Sequence, residues 1–157
     1  RNGFDRPEDP VFIQSFETEN LKRLRRRTPL RLVQLMDEAS GRPFDLARRG
    51  DPRTWGDLTA PAELEAIAVY ADAIGCYKRL LVPAGADGRL LPPTSLLADA
   101  HAVGLQVHAW TFRNEPSFLA PDYNGLPERE YEQFHSLGLD GFFTDFPDTA
   151  ARVLARR

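Results

Sequence analysis

The chain has 157 residues, 42% of them hydrophobic and 27% charged, with a net charge of -3 and a pI of about 5.6. This is the make-up of one ordinary globular domain with enough residues for a core. It lacks the basic stripe of a nucleic-acid binder, and no apolar run approaches the ~20 residues of a membrane span. The single cysteine, Cys76, excludes an internal disulfide and a thiolate metal site.

The first predicted element is a strand, Val11–Phe16. A helix follows, with Thr18 as N-cap and Leu21 and Leu24 on one face. Its end carries Lys22, Arg23, Arg25, Arg26 and Arg27, a solvated face where cations suit the helix dipole. The second strand is Arg31–Met36. From Asp37 to Thr59 there is no steady period; this stretch, with Trp55, reads as either a specificity loop or a structured insertion. Thr59 as cap, Pro61 in the first turn, and Leu64, Ile67, Ala68 and Ala71 predict the next helix. A short strand spans Ala73–Tyr77. Leu80–Val82 and Arg89–Leu91 flank Gly85–Gly88, which predicts a small hairpin or folded loop. After Pro92-Pro93-Thr94 comes a helix with Leu97, Ala100 and Val103, and Gly104 fits its C′ position. The remaining elements are a strand Leu105–Phe112, a helix Pro127–Leu137 stopped by Gly138, a strand Gly141–Asp145, and a closing helix through Leu154 capped by Asp148.

Strands alternating with helices argue for an α/β architecture with parallel strands. Side chains alternate between faces along each strand. In 105–112 one face holds Leu, Val, Ala and Thr and the other Gln, His, Trp and Phe; in 11–16 the second face is Phe12, Gln14 and Phe16. In 31–36, Val33 and Leu35 oppose Leu32, Gln34 and Met36. An aliphatic face suits helices, and a bulky-polar face suits a barrel lumen near an active-site mouth. Gln14, Gln34 and His108 fit that lumen, or are satisfied polar groups of the core. The expected fold is a TIM-type (β/α)8 barrel, with residues 1–157 as the C-terminal part of one domain and about the last five strand–helix units. A whole barrel takes roughly 250 residues. The first three strands are therefore expected upstream of Arg1, or a second chain covers the open edge.

Several ordered segments carry a family resemblance. Val-Phe-Ile-Gln-Ser-Phe (11–16), Leu-Val-Gln-Leu (32–35), Tyr-Ala-Asp-Ala-Ile-Gly (70–75), Val-His-Ala-Trp-Thr-Phe (107–112) and Asp-Gly-Phe-Phe-Thr-Asp-Phe-Pro-Asp (140–148) resemble the glycerophosphodiester phosphodiesterases. The resemblance is greatest to the bacterial secreted or periplasmic branch. Asn2-Gly3-Phe4 resembles the segment before the fourth strand. The family implies hydrolysis of a small-molecule glycerophosphodiester to an alcohol and glycerol 3-phosphate. A divalent cation, Ca²⁺ or Mg²⁺, stabilises charge, and two histidines act as acid and base. It also implies a periplasmic or secreted location, although no signal is visible in the chain.

The family's His-Arg-Gly, Pro-Glu-Asn-Thr, Glu-x-Asp and Glu-x-Lys motifs do not occur here. Of the three histidines, His101 and His135 fall near helix ends and His108 two residues deeper than Trp110, so none is assigned to catalysis or metal binding. What remains is a pocket wall. By resemblance Trp110 flanks the glycerol moiety, with Phe16 as an apolar wall and Gln14 and Gln34 as lumen groups behind them. Lys78 either reaches phosphate or is an exposed lysine. Asp145 either orients an arginine or histidine of the first motif or caps the turn before Pro147. His108 supports the lumen from below. The competing readings are a non-catalytic half-barrel completed by another polypeptide, and another barrel hydrolase. Against the latter, Asp37 and Asp145 are the obvious acids at strand ends and lie on distant strands.

Overall fold

Five strands run parallel and in sequence order in the computed structural model, which describes residues 3–155. They are β1 (Phe12–Ser15), β2 (Arg31–Met36), β3 (Ala73–Tyr77), β4 (Gln106–Phe112) and β5 (Gly141–Thr144). Parallel neighbours need a crossover, and helices supply it: α1 (Thr18–Arg25), α2 (Phe44–Arg48), α3 (Pro61–Ala68), α4 (Lys78–Leu81), α5 (Leu96–Ala102) and α6 (Pro127–Ser136), while α7 (Pro147–Leu154) follows the last strand. The result is a half-barrel of five strand–helix units, as expected from the alternation. Asn2 of the segment resembling the approach to the fourth strand lies outside the described residues.

The core lies between the sheet and the helices. Ile74, Cys76, Val107 and Ala109 are fully buried there, against Leu21, Leu64, Ile67 and Phe134. Burial pushes the Cys76 thiol up to about 12. The parity expected for β1 holds: Ile13 packs on this core, while Phe12 reaches the opposite face and meets His108. In β2 the parity is the reverse of the expectation. Leu32 and Met36 join the helix-side core, and Val33 and Leu35 face the lumen beside Gly75. The strand is apolar on both faces, so hydrophobicity cannot say which face the helices cover. β4 follows its expected parity up to Trp110. A register shift between Ala109 and Phe112 then turns Phe112 into the core, where its ring lies 5.1 Å from both Tyr131 and Phe134.

Several predicted boundaries move for local reasons. The N-cap of α1 is Glu17; the Thr18 hydroxyl and the Glu19 amide both donate to Asp45 Oδ2 at 2.9 Å, so a carboxylate distant in sequence satisfies the helix start. Thr59 sits in a 3₁₀ turn and donates to the Gly56 carbonyl, and Ala60 caps α3. Leu80 and Leu81 form α4 rather than a strand, because so short an apolar run carries no distinguishing period. The folded loop beyond it is present, closed by an Ala84–Leu90 bridge. Asp148 lies in the first turn of α7, after the N-cap Phe146, and pairs with Arg152. The 37–59 stretch is ordered around α2, with Arg53 bridging Asp51 and Glu63.

Candidate functional site

The C-terminal ends of β1, β3 and β4 bring Phe16, Tyr77 and Trp110 together. The Trp110 indole N–H donates to the Gly75 carbonyl at 3.0 Å, which fixes the ring across the neighbouring strand. Its centroid lies 6.0 Å from Phe16 and 5.5 Å from Tyr77. Phe16 in turn meets Trp55 at 6.0 Å. The irregular stretch thus delivers its tryptophan beneath the site, although Trp55 itself is buried.

Two openings share Trp110 and Thr111. The smaller, about 170 Å³, is completed by Gln14, Phe16, Leu35 and Phe143. The larger, about 370 Å³, runs from Tyr77, Lys78 and Arg79 to Arg113, Ser117 and Phe118 in the loop after β4. Gln14, Phe16 and Trp110 are therefore brought together. Below them His108 lies between Phe12 and Phe143, at 5.0 and 6.0 Å. Burial lowers its pKa from the ordinary histidine value. Gly141 makes room for it: a Cβ there would stand 2.6 Å from the imidazole.

The other expected residues lie elsewhere or in other states. Gln34 is not a lumen group. It is fully buried on the helix side, donating to the Ser15, Phe16 and Leu35 carbonyls at 3.0–3.3 Å and accepting from the Tyr70 hydroxyl at 2.9 Å. The reversed parity of β2 puts it there. Lys78 lines the larger opening but is not an exposed lysine; it is 4% exposed and its ammonium lies 2.8 Å from Glu130. Asp145 follows β5, with a half-exposed carboxylate 3.4 Å from Arg113 Nε.

Sequence reasoning missed Tyr77, Arg79, Arg113 and Phe143. Tyr77 was within reach of it, sharing strand parity with Gly75 at a strand's C-terminal end. Arg113 follows a strand end directly, where barrel loops build sites.

The expected Ca²⁺ or Mg²⁺ does not fit this wall. Such ions take carboxylate and carbonyl oxygens, whereas the charged side chains around the larger opening are Lys78, Arg79 and Arg113. Among the described residues no three His, Cys, Asp or Glu side chains are grouped to hold a metal.

Five parallel strand–helix units with an aromatic wall at their C-terminal strand ends make up part of a (β/α)-barrel protein. Residues 4–149 match the glycerophosphoryl diester phosphodiesterase family, and the chain belongs to that family. A glycerophosphodiester phosphodiesterase of Arabidopsis thaliana, GDPD6, is 36% identical over 138 residues, covering 87% of this chain and 36% of the plant protein. One from Haemophilus influenzae is 26% identical over 169 residues, covering 97% of this chain and 44% of its own length. The chain thus spans less than half the length of these relatives. They include a plant and a bacterium, so they show the family and not the branch. A provisionally named glycerophosphoryl diester phosphodiesterase from Silicibacter pomeroyi DSS-3, known as a crystal structure, has the same fold. Its TM-score is 0.59 at 19% identity, over 92% of this chain and 37% of that one.

Proposed function

We propose that this chain is the substrate-binding wall of an enzyme that hydrolyses glycerophosphodiesters to an alcohol and glycerol 3-phosphate. The observation that supports this most is family membership across 4–149 together with the aromatic wall around Trp110. In this reading the smaller opening takes the glycerol moiety. Its carbon face rests on Phe16 and Trp110, and its hydroxyls meet Gln14 and Thr111, a mixture typical of small-ligand sites. The wall contributes orientation, holding the diester for attack. The acid–base histidines and the Ca²⁺ or Mg²⁺ ligands of the family belong to residues outside this chain, in a segment that also pairs with the edges β1 and β5.

The reading has a two-part test. The purified chain with glycerophosphocholine and Ca²⁺ should give no turnover, and robust metal-dependent turnover would overturn the division of labour. In the full-length enzyme, Trp110→Ala should lower kcat/KM about tenfold or more with a smaller relative loss of folding stability. Equal losses in both would make Trp110 a core residue instead.

A further inference from the structure

Beside the larger opening, two cations share one carboxylate. Lys78 and Glu130 form a contact of 2.8 Å, with side chains 6% and 0% exposed. Burial pulls the Lys78 ammonium below its ordinary pKa and pushes the Glu130 carboxyl above its own, while their contact opposes both shifts. Wherever the proton resides, this pair sums to zero. The Arg79 charge is left over, and a guanidinium does not lose its proton.

Arg79 is mostly buried and loosely held. Its bonds to Glu130 Oε1 and the Val82 carbonyl measure 3.5 and 3.4 Å, at the outer limit for hydrogen bonds. The Tyr123 hydroxyl beside it carries no charge. A mostly buried cation whose one carboxylate partner is already shared with a closer ammonium favours an incoming anion.

The space in front of Arg79 suits one. Among the described residues no carboxylate lines the opening, and Thr111 and Ser117 offer hydroxyl donors. On the far side Arg113 lines the opening while pairing with two carboxylates. Its own partners, Glu115 and Asp145, are 40% and 51% exposed, so water screens them. The rings that could cage an ammonium head group are engaged: the Arg113 guanidinium covers Phe118 at 4.3 Å, and Tyr77 flanks Trp110.

We infer that this opening seats an oxyanion carried on the alcohol half of the substrate, held between Arg79 and Arg113, so that the enzyme prefers glycerophosphodiesters with an acidic head group. The identity of the ligand rests on the phosphodiesterase reading; the fit to an anion does not.

The test compares glycerophosphoserine with glycerophosphoethanolamine, which differ by one carboxylate. In the full-length enzyme the serine ester should have the higher kcat/KM by about tenfold, and Arg79→Gln should bring the ratio towards one. Arg113→Gln, on the more exposed wall, serves if Arg79→Gln fails to fold. A ratio at or below one in the unsubstituted enzyme, or one unchanged in the folded variants, overturns the inference. Turnover of neither ester would count against the phosphodiesterase reading alone, and a binding experiment then decides the pocket. Inorganic phosphate is titrated into this chain against chloride of equal ionic strength while NMR follows the Trp55 and Trp110 indole N–H signals. A saturable Trp110 shift that weakens about tenfold in the arginine variant supports the site. A Trp110 signal that stays still, or moves equally in the variant, overturns it.

Discussion

Trp110 is anchored by Gly75: the indole of β4 reaches two residues deeper along β3 and donates to its carbonyl at 3.0 Å. The same glycine leaves no space above itself. A Cβ at 75 would lie 2.6 Å from Leu35 Cδ2 and 3.1 Å from Val33 Cγ1. Gly75→Ala therefore overpacks the lumen and pushes Leu35 towards the smaller opening. The expected loss is about 1–3 kcal/mol, measured by urea unfolding followed through tryptophan fluorescence. An unchanged midpoint would mean that Leu35 yields freely and that the wall is less rigid than described.

Gln34 and Tyr70 form a second anchor. The Gln34 amide holds the carbonyls of Ser15 and Phe16, and so the end of β1 that carries the Phe16 ring. Gln34→Leu removes buried donors and orphans the Tyr70 hydroxyl, with an expected cost of about 1–3 kcal/mol. Tyr70→Phe removes one bond and leaves the carbonyl contacts in place, at about 0.5–1.5 kcal/mol. Equilibrium unfolding of both variants and the double variant gives the coupling. A neutral Gln34→Leu would remove the anchoring role.

The 37–59 stretch carries a pH-dependent element. Side-chain and backbone bonds with Arg53 hold the Asp51 carboxyl down to about 2. Because the folded pKa is depressed, the stabilisation is complete above the unfolded aspartate value of about 3.9 and is lost as pH falls towards 2. Asp51→Asn should be less stable than the parent at pH 7, with the difference closing between about pH 4 and 2. Paired thermal unfolding at several pH values isolates this residue from Asp9, Glu19, Asp57 and Asp148, whose carboxyls are also held low. A gap that stays constant across that window would show that Asp51 is not linked to folding.

The parts of the site legible in the sequence are those where alternation carries contrast. In β1 and β4 a polar and aromatic face opposes an aliphatic one, so parity puts Gln14, Phe16, His108 and Trp110 on one face; it puts Phe112 there too, and the register shift turns that ring into the core. In β2 a lone glutamine among apolar residues gave no such contrast. Alternation alone points Gln34 towards the lumen, yet it serves the helix side, where the turn after α3 brings Tyr70 to it. Lys78 shows the same limit, since its partner Glu130 lies on α6 and no local pattern links the two.

By itself the sequence determined the strand–helix order, the parallel sheet and the family, because hydrophobic period and ordered motifs are local properties of the chain. Tertiary structure alone decided which face of β2 the helices cover, that Asp45 supplies the bonds at the start of α1, and that Arg79 retains a charge in front of an opening. Each depends on groups distant in sequence meeting in space, where burial and distance set the energy of a polar contact.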